Sequence, residues 1–292
     1  MKTYERTCHI CGKKLTYGSY SAFYLANKNN SCCKSCSGKK NAKRLCDLSS
    51  LLDETPQAYY WVGFLMADGH FSNGRVTMCL SEKDLTQVKR FCDFIKWSGL
   101  YKPTDKGTIG IAPKHTDVIE KLCEKFDLKH NKTYAPPKTI LNHDKELLKY
   151  LFIGFIDGDG SITKQHNRND CMIRIKLHQS WLHVLEEFCE LIGYDKEHAK
   201  VNKQGYANLY ITNSKVITEL KKLTKNILVL DRKWDKIDDS FVSRYLTSAT
   251  RREKIIKMLN EGIRNKDIAK ELNVSESCVS QIKTRYVKRD RL

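Results

Sequence analysis

Two stretches of this chain say nearly the same thing. Tyr59–Asn73 reads YYWVGFLMADGHFSN and Lys149–Thr163 reads KYLFIGFIDGDGSIT, so Gly63, Ala67, Asp68 and Gly69 stand opposite Gly154, Gly158, Asp159 and Gly160. Each is an apolar run of helix length that stops at a carboxylate followed by glycine. The repetition continues downstream: RVTMCLSEKDLTQVKRFCDFI (75–95) matches IRIKLHQSWLHVLEEFCELI (173–192) through Leu80/Leu177, Leu85/Leu182 and Phe91-Cys92/Phe188-Cys189. KGTIGIAPKHTDVIEKL and YANLYITNSKVITELKKL then form a third matched pair. Hydrophobic periodicity predicts helix, hairpin, helix, hairpin, helix in each half. Such a chain folds around a duplicated core.

The spacing inside the two phrases is the sharper constraint. Gly63-x3-Ala67 and Gly154-x3-Gly158 set small residues one turn apart on one face of each helix, so the two backbones can approach closely. A glycine inside a helix costs about 1 kcal/mol relative to alanine, and close packing is what offsets it. If the helices pack in parallel, Asp68 and Asp159 emerge side by side. Two adjacent carboxylates repel unless a divalent cation lies between them, which predicts a shared metal site. In the strands, Arg75, Thr77, Cys79 and Ser81 alternate with Val76, Met78 and Leu80, and Arg174, Lys176 and His178 with Ile173, Ile175 and Leu177. Period-two alternation gives each sheet one apolar face for its helices and one polar, basic face for a partner.

Charge indicates the partner. The 292 residues carry 52 basic and 34 acidic side chains, a formal +18, which fits a polyanion, nucleic acid foremost. Residues 1–48 hold ten basic against two acidic (+8) and residues 251–292 twelve against six (+6), leaving 18 − 8 − 6 = +4 for the middle. The ends read as attached nucleic-acid grips. No apolar run reaches membrane-spanning length and MKTYERTCHIC lacks the apolar region of a secretion signal, so a soluble, cytoplasmic protein with reduced thiols is expected.

Six of the twelve cysteines crowd the first 46 residues. Cys8-x2-Cys11 and Cys33-x2-Cys36 are two knuckles with the spacing that turns paired thiolates toward one tetrahedral Zn(II), and Cys32 could take the place of Cys33. So polar a segment needs a metal to fold. The stretch 38–44, GKKNAKR, adds charge for phosphates or serves as linker. Cys79, Cys92, Cys123, Cys171, Cys189 and Cys278, each alone in an apolar pattern, read as small core residues.

At the other end, Ile255, Ile256, Leu259, Ile268, Leu272, Val279 and Ile282 keep helical period through KDIAKELNVSESCVSQIK, with Ala269 in a first helix, a turn at Asn273-Val274 and Ser275 as the next helix's cap. This predicts a helix-turn-helix. Its second helix would hold Glu276, Ser277, Ser280 and Gln281 near bases, with Lys283, Arg285 and Lys288 on phosphates.

WVGFLMADG (61–69) and FIGFIDGDG (152–160) resemble the signature of the LAGLIDADG homing endonucleases, and the resemblance covers roughly residues 50–245. Two motifs in one chain resemble the monomeric, pseudo-symmetric subclass. The resemblance implies an α+β fold: two αββαββα repeats with saddle-shaped antiparallel sheets lying in the major groove of a long double-stranded DNA target. The zinc-binding module (1–48) and the all-α helix-turn-helix (247–292) flank the repeats, at 49–136 and 137–246. Asp68 and Asp159 are then the catalytic acids, holding Mg(II), or Mn(II) in its place, with the backbone of Ala67 and Gly158. The motif's earlier acid is Asp157 in the second copy and Met66 in the first, a departure at a mainly structural position. Glu82 and Gln179 fall where the family keeps a polar residue near the metal-bound water, and Lys132 and Lys233 where it carries a basic residue close to the scissile phosphate. Arg75, Thr77, Arg174, Lys176 and His178 would read DNA from the sheets, and Ser277, Gln281, Lys283 and Arg285 from the tail.

The implied activity is metal-dependent hydrolysis at two adjacent carboxylate sites, each cutting one strand across the minor groove, leaving short 3′ overhangs with 5′ phosphate and 3′ hydroxyl ends. It needs no obligate protein partner and no membrane, and the chain reads as free-standing or intron-encoded. Two other classes use this scaffold: transcription regulators of WhiA-like architecture, in which the motif acids are lost, and intron maturases that bind RNA. The retained Asp68 and Asp159 argue against the first. The helix-turn-helix argues against the second, because the narrow major groove of A-form RNA excludes such a helix.

Overall fold

A computed structural model describes residues 2–37, 46–99, 101, 103, 107–165 and 170–287. In chain order the elements are β1 (Tyr4–Thr7), β2 (Lys14–Tyr17), α1 (Tyr20–Lys28), α2 (Pro56–Asp68), β3 (Gly69–Ser72), β4 (Arg75–Ser81), α3 (Leu85–Phe94), β5 (Thr108–Ile111) and α4 (Thr116–Lys125). There follow α5 (Lys145–Asp159), β6 (Gly160–Gln165), β7 (Asp170–His178), α6 (Leu182–Leu191), β8 (Ala199–Val201), β9 (Tyr206–Ile211), α7 (Ser214–Leu223), α8 (Asp231–Trp234), α9 (Asp239–Asn260), α10 (Asn265–Glu271) and α11 (Glu276–Ile282). The chain divides into two compact units, residues 1–53 with 70–122 and residues 54–69 with 123–292.

The first unit holds the β1–β2 hairpin with α1, whose N-terminus is capped by Ser19 accepting from the Ala22 N–H. It also holds the sheet β3-β4-β5. Asn73 and Gly74 both have positive φ (49° and 67°), the conformation a two-residue hairpin turn demands and Asn-Gly supplies. Along β4, Val76, Met78 and Leu80 are buried while Arg75, Cys79 and Ser81 are exposed, as alternation requires. Cys79 therefore departs from the expectation of a core thiol. Among the described residues, β5 stands where the sequence suggests a second hairpin, supported by an isolated bridge from Pro103 to Ile109.

In the second unit α2 and α5 pack against each other in parallel. Thr55 caps α2 by accepting from Ala58 N–H, with Pro56 in the first turn; Asp144 caps α5 by accepting from Glu146 and Leu147 N–H. A Cβ on Gly63 would overlap the Leu151 carbonyl, and one on Gly154 the Tyr60 carbonyl, so glycine is required where the helices touch. A side chain on Gly158 would meet Ala67. Tyr59, Tyr60, Trp61 and Phe64 of α2 and Phe152, Phe155 and Ile156 of α5 are fully buried, and α2 from Ala58 to Ala67 and α5 from Tyr150 to Asp157 are buried on every side, as central helices are. The sheet order is β6-β7-β9-β8, all antiparallel. Its inner face, with Ile162, Ile173, Ile175, Ala207 and Leu209, belongs to the core with Leu185 and Phe188 of α6.

The 22-residue α9 runs into a small all-helical cluster in which Ile255, Met258 and Leu259 pack with Ile268, Ala269 and Val279. Asn273, at φ 50°, makes the turn before α11, and Ser275 accepts from the Cys278 N–H at 3.2 Å. Among the described residues no helix is long and apolar enough to cross a membrane.

Candidate active centre and nucleic-acid interface

Asp68 and Asp159 are the last residues of α2 and α5, and each helix stops the same way. Gly69 and Gly160 are extended (φ −78°, ψ 160° and φ −82°, ψ 164°) and return their N–H to Leu65 O and Ile156 O. The parallel packing brings both carboxylates to one end of the helix pair, where the negative ends of two helix dipoles already gather. Burial of the Asp159 carboxyl, followed by the negative charge of Asp68, raises its pKa above the ordinary value; Lys132 and Lys233 pull it back. Two acids that disfavour each other's ionisation form a site that calls for a cation. Their all-oxygen donor set suits a hard one.

The two lysines lie on the helix ends themselves. Lys132 Nζ donates to Met66 O at 2.8 Å and to Ala67 O. Lys233 Nζ donates to the carbonyls of Ile156 (3.0 Å), Asp157 (2.6 Å), Gly158 (3.2 Å) and Gly160 (2.7 Å). They satisfy carbonyls that a helix C-terminus leaves open, and their charge opposes the dipole. Desolvation lowers the pKa of both; Asp159 and Asp68 raise that of Lys132, and Asp157, Asp68 and Asp159 raise that of Lys233. The carbonyls of Ala67 and Gly158, expected from the resemblance as metal ligands, thus already accept from lysine.

Asp157, 2% exposed, accepts from Tyr60 OH (2.7 Å), Trp234 Nε1 (2.8 Å) and Leu230 N–H (2.7 Å). Burial pushes its carboxyl up to about 6, against these three hydrogen bonds and the Lys233 charge. No local pattern announces this network, whose partners are 73 to 97 residues apart. The tandem of a buried motif acid and a tryptophan directly after Lys233 is the only hint of it in the sequence.

A cleft of about 440 Å³ opens beside Asp159, lined among others by Lys132, Lys176, His178, Trp181 and Tyr206. It joins the carboxylate to the polar face of the sheet. On that face the Arg174 guanidinium lies 5.3 Å from the Tyr210 ring centre and Lys176 Nζ 4.0 Å from that of Tyr206. His178 accepts from Ser180 N–H and leans on Tyr134. Gln179 is exposed just past β7, its N–H bonded to Gly205 O at 3.1 Å; Glu82, exposed just past β4 in the other unit, makes the matching bond to Gly107 O, also 3.1 Å. The equivalence read from sequence holds at the backbone of both. Arg75 is exposed on β4 beside the half-exposed Thr77, and Ser277, Gln281, Lys283 and Arg285 are exposed on and after α11. Lys288 and 38–44 lie outside the described residues.

The sulfurs of Cys8, Cys11, Cys33 and Cys36 all lie within 4.8 Å of one another, with Cys11 Sγ 3.7 Å from Cys33 Sγ. Thiolates at roughly 2.3 Å from a tetrahedral ion are spaced by roughly 3.8 Å, so the donor set fits. Cys33, not Cys32, completes it. The Cys33 N–H donates to Cys8 Sγ at 3.3 Å and holds that thiol down to about 6, whereas the sulfurs of Cys11 and Cys33 push Cys36 up to about 12.

Residues 152–238 match the family model of the LAGLIDADG endonuclease, and 246–292 that of the homeodomain-like domain. The LAGLIDADG match thus falls inside the second repeat. Similar solved structures include a mutant of I-SmaMI, 13% identical over 71% of this chain and 96% of that one (TM-score 0.48). I-SmaMI bound to uncleaveable DNA is 15% identical over 61% and 89% (TM-score 0.46), and the LAGLIDADG meganuclease I-CpaMI bound to uncleaved DNA 12% over 80% and 99% (TM-score 0.44). No curated protein matches the chain. That matched segment opens at Phe152, inside α5, and runs through Asp157, Asp159 and Lys233.

Proposed function

We propose that the chain is a sequence-specific DNA endonuclease that hydrolyses both strands of a duplex at the Asp68–Asp159 centre, using Mg(II) or Mn(II). The observation that carries the reading is the pairing of these two carboxylates at the common end of two parallel helices, next to a basic cleft. The LAGLIDADG endonuclease match over 152–238 and the homeodomain-like match over 246–292 support it.

In this reading Asp68 and Asp159 hold the cation through carboxylate oxygens. A divalent ion so held would polarise a scissile phosphate, acidify a water and stabilise the leaving 3′ oxygen. The chain's own part is geometric and electrostatic. Lys132 and Lys233 fix the two helix ends by filling their carbonyls and add positive charge near the phosphates. Glu82 and Gln179, at matching strand ends, orient water. Arg75, Thr77, Arg174, Lys176 and His178 contact the major groove, while Ser277 and Gln281 read further bases and Lys283 and Arg285 hold phosphates. Such cuts leave 3′ overhangs, and the enzyme works as a monomer in the cytoplasm.

Zn(II) is the ion we assign to the four cysteines, with a structural role. Dialysis against a strong chelator should release about one zinc per chain and abolish hydrogen-exchange protection in residues 4–36 while α2 and α5 keep theirs; Cys33→Ser should do the same and Cys32→Ser should not.

The nuclease reading is tested by incubating the protein with a randomised or genomic duplex library and Mg(II), then sequencing the new ends. Discrete double-strand breaks at one extended sequence are expected. Specific binding with no cleavage in Mg(II) or Mn(II) would exchange it for a regulator.

A further inference from the structure

A groove of about 750 Å³ runs between the far end of the second repeat and the C-terminal helices, away from the helix-end carboxylates. One wall is the start of α7, with Asn213 and Lys215; the other is α9, with Arg244, Ser248 and Arg252 four residues apart and so on one helical face. Asp170 at the start of β7 is the one acid among its described lining residues, against three cations. The ten-residue α7 begins in this wall, and the positive end of its dipole adds to the field, though the Asn213 side chain already accepts from the Lys215 and Val216 N–H groups. Arg252 is held out along the groove: its guanidinium lies 5.5 Å from the Tyr286 ring centre and Nη1 3.5 Å from the Tyr286 hydroxyl. A second cleft of about 240 Å³ shares Ser248, Arg252 and Tyr286 with the first and adds Arg251, Gln281 and Arg285, which carries the basic surface on to α11.

We propose that these joined clefts are a phosphodiester-binding track that guides the backbone of duplex DNA from the second repeat to the helix-turn-helix. Three features favour a polyanion over a small ligand. The cations are strung along the groove, with Arg244 and Arg252 about two helical turns apart, its lining residues Lys215, Arg244 and Ser248 are exposed to solvent, and it links two elements that independently fit DNA. Phosphate contacts of this kind fix register and orientation without reading sequence. The track would therefore set the spacing between the site under the sheet and the site under α11. The inference rests on the DNA-binding reading above.

The test measures binding of a long random-sequence duplex to the full chain as a function of salt, which needs no knowledge of the target. Each phosphate contact contributes about −0.9 to the slope of log K against log salt. Lys215→Ala/Arg244→Ala/Arg252→Ala should flatten the slope by about 2–3, whereas a control with Lys89, Lys121 and Lys145, exposed on other helices, changed to alanine should leave it within about 1 of wild type. The charge-preserving Lys215→Arg/Arg244→Lys/Arg252→Lys should restore most of it. A slope unchanged in the alanine variant, while the wild type binds and cuts DNA, would overturn the track and leave the nuclease standing. Equal loss in the charge-preserving variant would trace the effect to shape and also overturn it. Saturable calorimetric binding of inorganic phosphate that the alanine variant loses, with no change in the DNA slope, would make the groove a site for a free anion instead. A wild type that binds no duplex at any salt would remove both readings together.

Discussion

The two motif helices end in the same acid and the same glycine, yet their ends are fastened differently. At the first, Lys132 reaches two carbonyls, and its own segment is tied down by Trp181 Nε1 donating to Lys132 O (3.1 Å) and Thr133 O (3.2 Å). At the second, Lys233 reaches four carbonyls and is 6% exposed, and its segment is tied to the buried Asp157 through Leu230 N–H and Trp234 Nε1. Met66 stands where Asp157 would be. Duplication preserved what the chemistry needs, an acid on a capped helix end, and let the wiring behind it diverge. The second end carries two buried charges, so its integrity depends on complete hydrogen bonding, because an uncompensated buried charge is far more costly than a broken surface pair.

The comparison can be broken at three depths. Replacing Gly63 or Gly154 by leucine removes the joint common to both ends: the side chain has no room against Leu151 O or Tyr60 O, and either variant should lose at least about 3 kcal/mol of stability by chemical denaturation, with comparable losses for the two. Next, Lys233→Met should cost about 3 kcal/mol and Lys132→Met about 1.5, because the former strands more carbonyls and a buried carboxylate. Equal losses would show that the second network adds nothing.

The smallest effect is a pH dependence peculiar to the second end. The Asp157 carboxyl is raised to about 6 in the folded chain, so the folded state binds its proton more tightly than the unfolded chain does. That contribution to stability is fully present below the unfolded value near 4 and disappears as pH rises through about 6. Relative to Asp157→Asn, the wild type should therefore gain about 2 kcal/mol between pH 7 and pH 4, read from denaturant midpoints across that window. A flat difference would mean that the hydrogen bonds from Tyr60, Trp234 and Leu230 offset the burial entirely.

Much of this molecule is legible in the sequence because its strongest constraints are local. Gly63-x3-Ala67 and Gly154-x3-Gly158 announce close helices, alternation from Arg75 to Ser81 and from Ile173 to His178 announces half-buried strands, and Asn273 and Ser275 mark the turn and cap before α11. The cysteine knuckles specify their own fold, although choosing Cys33 over Cys32 takes three-dimensional geometry. What escapes is contact between distant residues. Nothing near Lys132 or Lys233 shows that their ammonium groups cap helix ends, nor that Tyr60, 97 positions away, donates to Asp157. Cys79 sits in an apolar stretch but on the outward parity of β4, and the parity, not the neighbourhood, decides its exposure.

The most direct measurement is strand-resolved cleavage of the cognate duplex, each strand labelled separately, by the wild type, Asp68→Asn and Asp159→Asn in Mg(II). Because the two carboxylates feel each other's charge, they are expected to work as one centre. Each variant should then slow both strands by about 10²–10³ or more, with folding unchanged. A variant that still cut either strand at the wild-type rate would contradict a shared centre at the ends of α2 and α5.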